Sequence, residues 1–280
     1  MIVDLTRRFS VDGVTLAWDR WAAGSTDTPL LLCHGFSGSS HDFALSIEDL
    51  AAHRTVVTVD HRGHGRSQKL MALDRYSIDL LAADAIALID RKLGGPVDLL
   101  GHSMGGAVAL RVTLARPDLV RSLILMDTSG WSFVPQDLSL AELMAGFLES
   151  FEPSSGLPDL GAQPAISPES ELIAAATPLE WQTIKEQMAA AFDPFALKAL
   201  GVELFEAGSD SVRGRLGEIA CPVTVIVGEH DHPFVDQAKE LAASVGDGRL
   251  RVIPGAYHSP QLTHKAEWDA AVGEHLRRGR

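Results

Sequence analysis

Val97-Asp98-Leu99-Leu100-Gly101-His102-Ser103-Met104-Gly105-Gly106, with the apolar run that follows to Ala115, decides how this chain is read. Val97 to Leu100 has the composition of a short strand buried on both faces of a sheet. Gly105 to Ala115 reads as a helix. Between them, Gly101-x-Ser103-x-Gly105 places a small residue two before and two after a serine. A strand can turn straight into a helix there only if nothing bulky crowds the turn. The turn then holds the serine hydroxyl above the sheet at a helix N-terminus.

Working outward, strand-like and helix-like segments alternate. Residues 2–10 and 14–21 flank Asp12-Gly13, a hairpin turn signal. Further strands are expected at LLLCHG (30–35), TVVTVD (55–60), LILMDTSG (123–130), VTVIVGEHD (223–231) and RLRVIPG (249–255). Helices are expected at 41–52, 77–93, 105–115, 237–245 and 263–276; in 77–93 the apolar residues Ile78, Leu81, Ala82, Ile86 and Ile89 recur at helical spacing. Short, continuously apolar strands separated by helices predict an α/β fold with a mostly parallel, eight-stranded sheet flanked by helices. Residues 131–205 break the rhythm. They predict a helical lid inserted after the sixth strand, between core segments 1–130 and 206–280.

A serine hydroxyl is a poor nucleophile until a base takes its proton. Chain order Ser, acid, His directs the search downstream. His258, in Ala256-Tyr257-His258-Ser259-Pro260, follows the last strand and is the candidate base. His53, His264 and His275 lie in or beside other elements and are expected to be solvated. For the acid that orients the imidazole, Asp231 comes first, Glu229 second and Asp127 third. Asp127 is read as structural, bonding the loop that enters the lid. The run Glu229-His230-Asp231-His232 is not read as a metal site, because neighbours on extended chain point in opposite directions. Two backbone N–H groups are expected to hold an oxyanion, those of Met104 and of Phe36 in His34-Gly35-Phe36-Ser37-Gly38. His34 is read as a buttress. Phe36, Met104, Trp131, Phe133 and Phe234 are the expected substrate-lining residues.

On HGFSG (34–38), DHRGHGRS (60–67), GHSMGG (101–106) and the GEHD…GAYHSP pair (228–231 and 255–260), the chain resembles the α/β-hydrolase superfamily, in the branch with a helical lid. The four stretches span nearly the whole chain. The resemblance implies that Asp60, Arg62 and Ser67 belong to a structural turn. Ser103 excludes the relatives with an aspartate nucleophile, such as haloalkane dehalogenases and epoxide hydrolases. HGFSGSS is similar to the lyase of menaquinone synthesis, but that family carries an arginine after Gly-Gly where this chain has Ala107.

Composition narrows the classes further. A net charge of −13 opposes nucleic acid and anionic membrane surfaces as partners. No secretory signal and no apolar run long enough for a membrane span is present, so a cytoplasmic protein is expected. Cys33 and Cys221, the two cysteines, are too few for a disulfide framework. Residues 131–205 hold eleven acids against Lys185 and Lys198, together with apolar Trp131, Phe133, Met144, Phe147, Phe151, Trp181, Met188, Phe192 and Phe195. An acidic, apolar lid points to neutral, moderately apolar esters. The expectation is a carboxylesterase that needs no cofactor or metal and takes a small-molecule ester. A lactonase or carbon–carbon bond hydrolase with the same three residues is the alternative, and a non-catalytic binding protein on this fold the rival from another class.

Overall fold

The computed structural model describes residues 6–22, 27–131, 168–189, 191–205 and 212–278. Its eight strands form one sheet in the order β1-β2-β4-β3-β5-β6-β7-β8. The chain enters by a hairpin, β1 (Arg7–Val11) to β2 (Val14–Trp21). Asp12 (φ 49°) and Gly13 (φ 75°) both sit left-handed, as the tightest hairpin turns require. β2 runs antiparallel to β4 (Val56–Val59), and every later pairing is parallel. β3 (Leu30–Cys33), β5 (Val97–His102), β6 (Val120–Met126) and β7 (Val223–Gly228) fill the centre, almost wholly buried. β8 (Gly248–Ile253) is a half-exposed edge.

Alternation along the central strands sorts the core into two faces. Leu31, Cys33, Leu99, Leu123 and Leu125 pack on one side. There they meet α2 (Ile78–Leu88), α3 (Met104–Ala115) and α7 (His232–Ser244). Leu30, Leu32, Leu100, Ile124 and Met126 pack on the other, with α1 (Ala44–Ala51) and α8 (Lys265–Arg278). Trp268 of α8 is fully buried there and donates its indole N–H to Met126 Sδ at 2.8 Å.

Among the described residues, three α-helices lie between β6 and β7: α4 (Pro168–Ala176), α5 (Leu179–Ala189) and α6 (Pro194–Phe205). They are tied to the core by polar contacts. Trp181 donates its indole N–H to the His41 carbonyl at 3.1 Å, and His41 Nε2–H returns a bond to the Trp181 carbonyl at 3.0 Å. Buried Asp193 accepts the N–H groups of Leu70 and Met71, each at 2.8 Å, and the Tyr76 hydroxyl. Residues 132–167, including Phe133, Met144, Phe147 and Phe151, fall outside the described residues.

Boundaries differ from expectation where special residues intervene. Ser77 caps α2 by accepting the Leu80 N–H at 3.1 Å, and the helix widens to a π-turn over Ile89–Leu93 before Gly94 ends it at φ 73°. α7 begins at His232, five residues before the periodic pattern shows, because proline is tolerated in a first helical turn. His275 corrects the expectation of a solvated side chain. It is 1% exposed, with Nδ1 2.7 Å from Thr224 Oγ1. Among the described residues no helix is long and apolar enough to cross a membrane.

Candidate active site

Parallel pairing brings the ends of β3, β5, β6 and β7 to one level. Cys33 pairs with Gly101, His102 with Met126, and Met126 with Ile226. Ser103 follows β5 at φ 51° and ψ −117°, a conformation that non-glycine residues rarely adopt. The surroundings hold it there. Its N–H donates to the Met126 carbonyl at 2.9 Å, and its carbonyl accepts the Thr128 hydroxyl at 2.6 Å. A Cβ on Gly101 would stand 2.2 Å from the Gly105 carbonyl oxygen, and one on Gly105 would stand 2.3 Å from that of Cys33. Both flanking glycines are therefore steric necessities of the turn.

His258 lies on the loop after β8 and donates its Nδ1–H to Asp231 Oδ2 at 2.8 Å. That bond fixes the tautomer and leaves Nε2 as the basic nitrogen. Burial pulls the imidazole pKa down, but the charge and hydrogen bond of Asp231 and the charge of Glu169 outweigh it, so the pKa is raised above 6.5. His102 Nε2–H donates to the His258 carbonyl at 2.8 Å, tying this loop to the turn that carries Ser103. Burial drives His102 itself down to about 3, so it stays neutral. Phe234 lies against the His258 ring, centroids 5.1 Å apart.

The structure separates the members of the acidic run. Asp231 is 6% exposed and faces His258, whereas Glu229, His230 and His232 are exposed, and Glu229 accepts the Gly255 N–H at 2.8 Å. Among the described residues, Asp127 Oδ1 accepts the Gly228 N–H at the end of β7, at 2.9 Å; the loop entering the lid lies mostly outside the described residues. Asp127, Asp231 and His258 each place a ligand-type atom within 4.8 Å of the others. The 2.8 Å Nδ1···Oδ2 separation is a hydrogen bond. Two zinc ligands in tetrahedral geometry sit roughly 3.3 Å apart, given metal–ligand bonds of about 2.0 Å.

The loop after β3 passes over the serine. A Cβ on Gly35 would lie 3.2 Å from Ser103 Cβ. His34 props this loop, with Nδ1–H donating to the Gly35 carbonyl at 2.9 Å and Nε2 accepting the His61 N–H at 3.0 Å. Burial holds its pKa well below 6.5. Asp60 accepts the N–H groups of Ser40 and Arg66, and Ser67 bridges the Ala17 N–H and the Asp60 carbonyl. Arg62 forms a two-pronged pair with Asp84, at 2.7 and 2.6 Å, both side chains buried.

Two cavities meet at Ser103. One, of about 40 Å³, is bordered by Met104, Ala107, Arg111, Trp131, Phe205 and Phe234. The other, of about 280 Å³, is bordered by Phe36, Asp42, His102, Trp181, Lys185 and His258. Met104, Trp131 and Phe234 thus share one cavity, Phe36 borders the other, and Phe133 falls outside the described residues.

The α/β-hydrolase fold family model matches residues 28–265. The chain belongs to the α/β-hydrolase fold family. A pimeloyl-[acyl-carrier protein] methyl ester esterase from Chromobacterium violaceum is 29% identical over 264 residues, covering 88% of this chain and 93% of that protein. A dihydrolipoyllysine-residue acetyltransferase component of an acetoin cleaving system from Pseudomonas putida is 40% identical over 124 residues, 44% of this chain and 33% of that protein. The chain spans about a third of the length of the curated relatives it matches at 35–40% identity. A solved thermophilic esterase from Thermogutta terrifontis superposes with a TM-score of 0.76 at 24% identity, covering 98% of this chain and 99% of the other, which shows the fold alone.

Several residues of this α/β-hydrolase site escape sequence reasoning. Arg111 borders the smaller cavity, and its eight-residue spacing from Ser103 on α3 is the one signal that points to it. Glu203 and Phe205 of α6, and Trp181 and Lys185 of α5, reach the cavities only through tertiary packing.

Proposed function

We propose that this α/β-hydrolase is a serine carboxylesterase acting through an acyl-enzyme. One observation carries the reading. Ser103 sits in a strained strand–helix elbow and shares a cavity with His258, whose Nδ1 is held by Asp231 at 2.8 Å. In the proposed reaction His258 Nε2 takes the Ser103 proton as Oγ bonds the ester carbonyl carbon. The N–H groups of Phe36 and Met104 hold the oxyanion. His258 then gives the proton to the leaving alkoxide as the carbon–oxygen bond breaks. Water, deprotonated by His258, releases the acid and restores Ser103. This scheme uses no cofactor, and it casts α4 to α6 as a lid over a site working in the cytoplasm.

The substrate is a neutral ester. Lys185 pairs with Asp42 at 2.5 Å, and Arg111 with Asp79 at 2.8 Å and Glu203 at 3.7 Å, so the cations at both cavities are matched by acids. The leaving alcohol belongs on the side of His258, which must protonate it, and so in the 280 Å³ cavity. The 40 Å³ cavity, lined by Met104, Ala107 and Phe234, suits a short apolar acyl group. The methyl ester esterase likeness over 88% of the chain supports ester chemistry. A p-nitrophenyl ester series from acetate to long-chain acyl, run on the wild type and Ser103→Ala, tests this. Fast turnover with short chains that vanishes in the variant is expected. Activity retained by a folded Ser103→Ala protein would overturn it.

A further inference from the structure

Behind Asp231 stands a second carboxyl group that the proposed reaction does not use. Asp127 follows β6 directly, is 0% exposed and holds a left-handed backbone at φ 46°. Such strain in a non-glycine residue persists only where its surroundings impose it. Oδ1 is satisfied by the Gly228 N–H at 2.9 Å. Oδ2 is buried and receives no donor. Both carboxylic groups and the His258 imidazole lie within 4.8 Å of one another, and Asp231 already takes the His258 Nδ1–H.

A buried carboxylate oxygen with no donor is costly. Two carboxylates at this range in a dry site resist ionising together, so one retains a proton. Asp231 faces an imidazole that becomes a cation, whereas Asp127 has a single N–H and no solvent. The proton therefore belongs on Asp127, and a protonated Oδ2 changes from an unpaired acceptor into a donor aimed at Asp231. We propose that Asp127 is a neutral carboxylic acid whose Oδ2–H donates to the Asp231 carboxylate, making it a positioning residue for the His258–Asp231 pair. Burial first, and the Asp231 charge second, push the Asp127 carboxyl well above the usual carboxylate range. The titratable groups that face Asp127 and Asp231 are His258 on the loop after β8, His102 at the end of β5, and Glu169 on α4. The role assigned to Asp127 rests on His258 and Asp231 working as proposed above; its protonation does not.

Asp127→Asn and Asp127→Ala separate the possibilities. In the asparagine variant the Gly228 N–H orients the amide, so Nδ2–H occupies the place of the proposed Oδ2–H. Asp127→Ala is expected to lower kcat roughly 10- to 100-fold with a smaller change in KM, and Asp127→Asn to restore most of it. The acid limb of kcat/KM should stay in place in Asp127→Asn, since a neutral group replaces a neutral group. Two readouts need no turnover: the His258 imidazole titration by NMR in the Ser103→Ala background, and the infrared carbonyl stretch of a protonated carboxyl, present in the wild type and lost in Asp127→Asn. A fall of about one pH unit in the His258 titration in Asp127→Asn would mean a removed negative charge and overturn the proposal. Absence of the infrared band, or wild-type kcat in Asp127→Ala, would overturn it as well. If no ester is turned over, the titration and the band still decide the protonation of Asp127, while the carboxylesterase reading fails on its own.

Discussion

His102 Nε2–H is 2.8 Å from the His258 carbonyl oxygen, so the residue before the elbow serine anchors the loop that carries the candidate base. A carbonyl can only accept, which assigns the proton to Nε2. His102→Ala removes this tether. Because small misplacements of a base are costly, kcat should fall about 10- to 100-fold while KM changes less. Steady-state kinetics on a short-chain ester, with circular dichroism to confirm folding, checks this.

His258 must be neutral to act as a base. Its pKa is raised above 6.5 by Asp231 and Glu169 against the opposing effect of burial. Activity should therefore rise with pH through a midpoint above 6.5. Asp231→Asn should lower that midpoint and reduce kcat by about 10⁴-fold. The same raised pKa predicts the sign of stability. The His258 contribution is fully present below the unfolded-state value of 6.5 and is lost as pH rises through the folded value. Thermal denaturation across that window reads it, and the dependence should flatten in His258→Gln.

Gly105→Ala would ordinarily favour a helix. Here the new Cβ would stand 2.3 Å from the Cys33 carbonyl oxygen and 2.6 Å from that of His34, both backbone atoms that cannot swing aside. Overpacking of this kind costs about 1–3 kcal/mol. Urea denaturation should show that loss, and turnover should drop because the displaced loop carries Phe36.

Arg62 and Asp84 form a buried pair, with side chains 2% and 3% exposed. Removing one partner leaves an uncompensated charge. Arg62→Ala should cost about 3–5 kcal/mol in urea denaturation. Arg62→Ala with Asp84→Leu should recover part of it, because no buried charge is then left alone.

Ala107, 8% exposed, borders the smaller cavity beside Ser103. Ala107→Phe should fill it and shift the ester preference toward acetate, with kcat/KM for butyrate falling about 10-fold or more. An unchanged chain-length profile would place the acyl group in the other cavity.

Much of this molecule was legible from its chain. Continuous apolar strands such as LLLC and VTVIVG predict burial on both faces, and the two glycines around Ser103 predict the elbow, since both signals are local. His258 is a candidate base by its place after the last strand. Asp231 needed the structure to separate it from Glu229, because two residues on a turning chain can each be imagined facing the imidazole. His275 was misread because a histidine near a helix end looks solvated until the helix is packed on Thr224. Arg111, Glu203, Trp181 and Lys185 carry no local mark of their cavities. The sequence by itself determined the strands and the elbow, because strand burial and turn geometry depend on neighbours in the chain, and it offers Ser103, Asp231 and His258 as candidates only. Only the tertiary structure decided that Asp127 stands behind Asp231, and which helices border each cavity. Those relations depend on strand register and on packing between residues a hundred or more positions apart, where periodicity carries no information.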